Sequence, residues 1–269
     1  MLVNLFTCSL STRKLVCIIN KMIKLGIFGR IIRWVAVAFF GSTILAVVLL
    51  RFIPVYFTPL MFIRCAEQVS AGETPRLRHH WVSLDKISPH LPVAVMASED
   101  QRFLLHHGFD YKAIETAVVH NKESKRKHGA STISQQTAKN VFLWPGRSWV
   151  RKGLEAYFTV LIEMMWSKQR IMEVYLNSIE MGPGIYGADA VAKEHFGKPA
   201  CDLFRSECAL IAATLPNPLK FSSLSPSAYV KKRQRWIERQ MRFIPSFPEE
   251  GKDYNPDTSS GGVYHKTKK

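Results

Sequence analysis

The chain carries two hydrophobic patterns. From Trp34 to Leu50 no residue is charged, and after Arg51 the apolar character resumes from Phe52 to Ile63, broken by Pro54 and Pro59. A membrane-spanning helix needs about 20 apolar residues, with a lower limit of roughly 17. This stretch therefore predicts an anchor over residues 34–57, with Arg33 and Arg51 snorkelling at its ends. A cleaved signal peptide is the rival reading, but its apolar core would run only about 7–15 residues, and no small-x-small cleavage site follows here. Residues 58–80, with Gly72 and Pro75, show little periodicity and read as a juxtamembrane linker.

From Lys86 onward the apolar positions recur at three- and four-residue spacing, which is the helical pattern. Helices are predicted at Tyr111–His120, within Gly129–Leu143 with Ser131 or Thr132 as N-cap, at Trp149–Trp166, Lys168–Asn177, Ala188–Phe196, Leu203–Leu215 and Ser227–Ile244. Pro145-Gly146 and Pro216-Asn217-Pro218 act as breakers. Asn121–His128 reads as a basic loop, Gly182, Gly184 and Gly187 as a glycine-rich loop, and 245–269 as a disordered tail. No strand-like alternation stands out. The pattern thus predicts a mainly α domain over 81–244 behind one N-terminal membrane helix.

The formal net charge of +16 demands an anionic partner, whether nucleic acid, an acidic membrane or a phosphorylated substrate. Its distribution narrows the choice. Arg13, Lys14, Lys21, Lys24, Arg30 and Arg33 precede the apolar run with no acidic residue among them. The positive-inside rule then places residues 1–33 in the cytoplasm and the chain beyond about residue 55 outside, where nucleic acid is not a partner. The five cysteines form no CxxC or Cys/His pair with metal spacing. No GxxxxGK[ST] or GxGxxG motif points to a nucleotide.

The candidate chemistry starts at Val93–Ala97, an apolar run that delivers Glu99 and Asp100, with Phe103, His107, Gly108 and Asp110 close behind. An apolar approach matters to a carboxylate, because burial raises its pKa toward the range useful for proton transfer. In the 129–143 helix, Gln135 and Gln136 share a face with Lys139 and Asn140, a polar face suited to a sugar and a phosphate. Arg151 and Glu155, at i,i+4, read by themselves as a surface ion pair worth a few tenths of a kcal/mol.

Taken in order, Glu99-Asp-x-x-Phe-x-x-x-His107-Gly-Phe-Asp, Gly129-Ala-Ser-Thr-Ile-Ser-Gln-Gln136-x-x-Lys139-Asn140, Arg151-Lys152-x-x-Glu155 and Lys168-x-x-Ile-x-Glu-x-Tyr175-Leu-Asn177 resemble the peptidoglycan glycosyltransferases. That module also occurs in class A penicillin-binding proteins. A monofunctional enzyme is expected, since 269 residues leave no room for a transpeptidase domain. The resemblance implies a lysozyme-like helical fold with a head lobe and a smaller jaw lobe. It implies transfer of the growing lipid-linked glycan strand to the 4-hydroxyl of lipid II, with inversion and release of undecaprenyl pyrophosphate. The setting would be the bacterial inner membrane, with the catalytic domain periplasmic. The partners would be lipid II, the glycan strand, membrane lipids and other wall-synthesis or division proteins.

Carried over by residue, the resemblance makes Glu99 the catalytic base and Glu155 a second catalytic glutamate that positions the acceptor or holds the cations. Lys139, Arg151 and Lys152 become phosphate contacts. Asp100, Phe103, Thr132, Gln135, Gln136 and Asn140 become structural or substrate-contact positions, and His107 reads equally as a contact or a hydrogen-bonded scaffold residue. No cofactor is required, and a divalent cation, Mg²⁺ or Mn²⁺, is the one that carboxylates beside a diphosphate would admit. Lytic cleavage of glycan strands and a non-catalytic scaffold role are the alternatives. The cationic set favours a pyrophosphate leaving group over the first, and the presence of both glutamates speaks against the second.

Overall fold

The structure is a computed structural model that describes residues 3–123 and 129–248, with side chains over 26–122 and 129–248. The loop residues Lys125, Arg126 and Lys127 and the tail from 249 lie outside the described residues.

Two units are present, Met1–Leu49 and Leu50–Lys269. The first is one helix, α1, Val3–Leu50. Its segment Gly26–Leu50 has a mean hydropathy of 2.1 over 25 residues and is long and apolar enough to cross a membrane. At about 1.5 Å per residue it exceeds the roughly 30 Å hydrocarbon core. Trp34, Val35, Phe40 and Leu45 are exposed along it. The helix stops at Leu50, short of the expected 57, because Arg51 and Pro54 follow the last apolar turn.

The second unit opens with a correction. Within the expected linker, Pro59–Ser70 forms a helix, α2. Thr58 accepts a hydrogen bond from the Met61 amide at 3.4 Å, Pro59 occupies the first turn, and Met61 is fully buried. The remaining helices are α3 (His90–Glu99), α4 (Tyr111–Glu123), α5 (Ile133–Phe142), α6 (Trp149–Met165), α7 (Lys168–Ser178), α8 (Ala188–Phe196), α9 (Arg205–Thr214) and α10 (Ala228–Gln240).

The core is built around α3, whose residues Leu91 to Ala97 are all buried. A helix apolar all round belongs in an interior, and α3 is packed between α9 and α10. Elsewhere in this unit α5 packs against α6 and α7, with α2 resting on α5. The last turns also join the core: Ile244 is buried, and Phe247, which the composition assigned to the tail, stacks on Phe103 with ring centroids 6.4 Å apart.

The glycine-rich loop is a small hairpin. Strands β1 (Arg78–His79), β2 (Glu180–Gly182) and β3 (Ile185–Tyr186) form a sheet ordered β1-β3-β2, with β1 parallel and β2 antiparallel to β3. Strands this short carry no period-2 signal. Asn177 locks the sheet's edge to α7. Its amide accepts from the Val82 N–H at 3.0 Å and donates to the Val82 and Glu173 carbonyls at 2.9 and 2.8 Å. The tight approach of β1 requires glycine at 184, where φ is +68° and a Cβ would lie 2.2 Å from the Arg76 carbonyl oxygen. Gly184→Ala is expected to cost about 2 kcal/mol or more in a urea melt. Gly153→Ala, in open space within α6, should gain roughly 0.5–1 kcal/mol.

Candidate active site

Asp100 closes α3 and sets up everything around it. Its buried carboxylate meets His106 Nε2 at 3.0 Å through both oxygens and accepts the Ile133 amide at 3.1 Å, at the first turn of α5. An anion at a helix N-terminus is stabilised by the free amides and the dipole. Thr132 completes that end. Its hydroxyl donates to the Gly108 carbonyl at 2.6 Å and accepts from the Gln135 amide, while the Gln135 side chain accepts the Thr132 amide at 3.0 Å. This is a capping box.

These bonds decide what the predicted residues do. Asp100, Thr132 and Gln135 are buried, and their bonds to one another's segments hold the start of α5. Phe103 is fully buried, beneath the Lys168 ammonium at 4.5 Å from its ring centre. Of the two readings of His107, the structure removes the hydrogen-bonded scaffold one. His107 is exposed and, among the described residues, makes no hydrogen bond or ion pair, whereas the buried partner of Asp100 is His106. Adjacent histidines before a glycine do not reveal from spacing which one turns inward.

One turn into α5, Gln136, Lys139 and Asn140 line an open cleft of about 360 Å³, together with Arg151, Arg147, Trp144, Arg64 and Glu180. The half-buried Glu99 stands at the edge of this set, linked to Gln136, whose Nε2 donates to Glu99 Oε2 at 3.2 Å. The amide cannot turn round freely, because the Tyr175 hydroxyl donates to Gln136 Oε1 at 3.2 Å. Burial first, and then the charges of Glu99 and Asp100, push that phenol well above its ordinary range, so it remains a donor.

Two residues that the motifs did not nominate hold the other oxygen of Glu99. The Ser98 hydroxyl donates to Glu99 Oε1 at 2.9 Å, and Arg233 Nη2 lies 3.0 Å from the Ser98 hydroxyl and 3.6 Å from Glu99 Oε1. Arg233 comes from α10, where the sequence offers only one basic residue among many in an amphipathic helix.

The expected surface pair Arg151–Glu155 is not at the surface. Glu155 is buried, with Arg151 Nη1 at 3.0 Å on one oxygen and Lys152 Nζ on the other. A buried carboxylate holding two cations is an anchor, and removing a partner from such a set is costly. Lys139 differs. Among the described residues its ammonium has no ion pair or hydrogen bond, and desolvation pulls its pKa down. Glu155 and Glu99 oppose that shift, while Arg151 and Lys152 reinforce it. The cleft therefore presents a carboxylate at one end of an α5 face and an unpaired, desolvated ammonium beside two clamped cations at the other. Such a set takes an anion at the cationic end and a proton at the other.

Comparison with known proteins agrees with that chemistry. The family model described as Transglycosylase matches residues 67–242. The chain is 63% identical over 219 residues to a biosynthetic peptidoglycan transglycosylase of Bacteroides thetaiotaomicron, covering 81% of this chain and 88% of the relative. Proteins with the same description from Bdellovibrio bacteriovorus and Shewanella oneidensis are 52% and 50% identical, covering 81% and 79% of this chain and 87% and 92% of theirs.

The state of Lys139 yields a prediction. Its proton is held more weakly in the folded chain than in the unfolded one, so folding is penalised at neutral pH, and the penalty fades as pH rises through the ordinary lysine range near 10.4. Lys139→Met should raise the urea midpoint at pH 7, with the gap over the parent chain closing above about pH 10, and should abolish polymer formation. Urea melts across pH, paired with an activity assay, check both. On sequence, geometry and comparison together, the chain belongs to the transglycosylase family.

Proposed function

We propose that this protein polymerises the glycan strands of peptidoglycan from lipid II. The observation that carries this reading is the pairing of a held carboxylate with an unpaired lysine across one face of α5. A sugar hydroxyl is a weak nucleophile and needs a base. Glu99 takes the proton from the acceptor's 4-hydroxyl as that oxygen bonds to the donor's anomeric carbon. The bond from that carbon to the diphosphate breaks, and the configuration inverts. The leaving group departs as an anion, so it requires cations and no general acid. Lys139 and the guanidinium and ammonium of Arg151 and Lys152 receive it, with Glu155 holding the latter two in place. Asn140 and Gln136 offer amides to the sugars. A lysozyme-like cleavage has no use for three cations at the departing group.

The names of the relatives support peptidoglycan as the product. The apolar helix over Gly26–Leu50 supports attachment to the membrane in which a lipid-linked substrate resides. The basic residues before it support a cytoplasmic position for residues 1–33 and, with it, a position on the outer face of the bacterial inner membrane for the chain beyond the helix. Partners among wall-synthesis and division proteins would meet it there. Among the described residues no three His, Cys, Asp or Glu side chains converge to hold a metal. A divalent cation would arrive with the diphosphate, and no step above depends on one.

Glu99→Gln keeps the hydrogen bonds to Gln136 and Ser98 within reach but removes the base. Polymerisation of labelled lipid II should fall by about 10²–10⁴-fold with the melting curve little changed. Normal polymer formation by this variant would refute the assignment.

A further inference from the structure

The cleft contains a second carboxylate-held guanidinium, and it comes from outside the region matched to the family. That match begins at residue 67, yet Leu60 and Arg64 of α2 line the same cleft as Lys139 and Arg151. The placement of α2 is firm: Thr58 caps it, Met61 is buried to completion, and it rests on α5.

Two sides of the Arg64 guanidinium are occupied. Nη1 bonds Glu67 Oε2 at 2.6 Å, and Nε faces Glu180 Oε2 at 3.4 Å without a proper hydrogen bond. Nη2 has no protein partner among the described residues. Glu180 is itself buried in the cleft wall, where it accepts from the Tyr186 hydroxyl and the Gly184 amide, each at 3.5 Å. Burial pushes its carboxyl up, and Arg64 is the main charge pulling it back. Like Glu155 beside Arg151, Glu180 is a buried carboxylate within ion-pair distance of an arginine that lines the cleft. No other cation is within ion-pair distance of Glu180 among the described residues.

We propose that Arg64 is a further ligand for the diphosphate of a lipid-linked substrate, with Glu180 as its positioning residue. The inference rests on the polymerase reading, in which donor and acceptor each bring a diphosphate to the cleft at once. An arginine suits this task because its free edge offers donors in a fixed plane. Lipid headgroups share the same anionic chemistry, and the test separates the two sources.

Full-length chain and the variants Arg64→Gln, Arg64→Lys and the double variant Arg64→Gln/Glu180→Gln are assayed in neutral detergent and in nanodiscs of neutral or anionic lipid. The double variant removes the buried Glu180 charge together with its arginine, so it serves where the single one folds poorly. Arg64→Gln should raise KM for lipid II and weaken inhibition by undecaprenyl diphosphate about tenfold, as expected for losing a charged hydrogen bond, with kcat changed much less. Arg64→Lys should recover part of the loss. The same loss in detergent and in both nanodiscs supports a substrate contact. A loss confined to anionic nanodiscs assigns Arg64 to headgroups and overturns the proposal. So does unchanged inhibition by undecaprenyl diphosphate in a variant whose lipid II affinity falls, because the contact would then be to sugar or peptide. Should the parent chain make no polymer, the polymerase reading fails instead, and binding of undecaprenyl diphosphate to parent and variant still decides the role of Arg64.

Discussion

The arrangement depends on one buried carboxylate. Asp100 ends α3 and, through His106 and the Ile133 amide, begins α5. An ionised group so deep in a protein is tolerated only when its lone pairs are filled, and here a histidine, a backbone amide and the dipole of α5 fill them. The covalent neighbour of Asp100 is Glu99. Fixing one carboxylate therefore fixes the other, and fixes it relative to α5. A further layer supports the clamp. Lys168 bonds the His106 carbonyl at 2.7 Å and Glu163 at 2.8 Å, and Glu163 also receives the Ser134 hydroxyl. Gly108 lies against Thr159, where a Cβ would come within 2.8 Å, so the turn at Gly108 is pressed onto α6 with no room there for a side chain.

The cationic end is assembled against electrostatic resistance. Lys139, Arg151 and Lys152 repel one another; Glu155 pairs with the latter two, and Glu155 and Glu99 offset part of the charge felt at Lys139. The fold accepts a lysine that gives up solvation without an internal partner. In the proposed reaction the missing partner is the diphosphate, and stability would be surrendered there for affinity. Glu155 is buried for the complementary reason. An exposed carboxylate would be screened by water and would orient two long side chains poorly.

How much of this was legible in the sequence follows from the range of each interaction. The spacing of Gln136, Lys139 and Asn140 is local and reads correctly as a helix with one polar face, whereas α3 was not among the predicted helices, because the unbroken apolar run before Glu99 carries no helical period. The helix bounds were also close, since Ser and Thr caps with periodic apolar residues are local signals. The choice between His106 and His107 was not legible, because it depends on which ring reaches Asp100 in space. Gln135 and Gln136 look alike in sequence, yet one closes a capping box and the other faces Glu99. Helix α2 was hidden by its apolar, proline-punctuated start, which reads as the end of a membrane segment. Arg233 was hidden because 135 residues separate it from Ser98, its hydrogen-bond partner, and no periodicity reports a contact at that range.

The chemistry also has a length requirement, and α5 satisfies it without loops. Base and leaving group must be held on opposite sides of one anomeric carbon, and small misplacements lower rates strongly. Gln136, which bonds Glu99, and Lys139, the proposed diphosphate contact, are neighbours on adjacent turns of a helix, about 5–6 Å apart at their Cβ atoms. Helix geometry sets that interval, and the Asp100 clamp sets where it starts. Loop residues such as Trp144 and Arg147 border the cleft without defining this spacing. Variation there would alter what the cleft admits, while the separation of base from cation stays with a capped helix whose first turn is bonded to the residue beside the base.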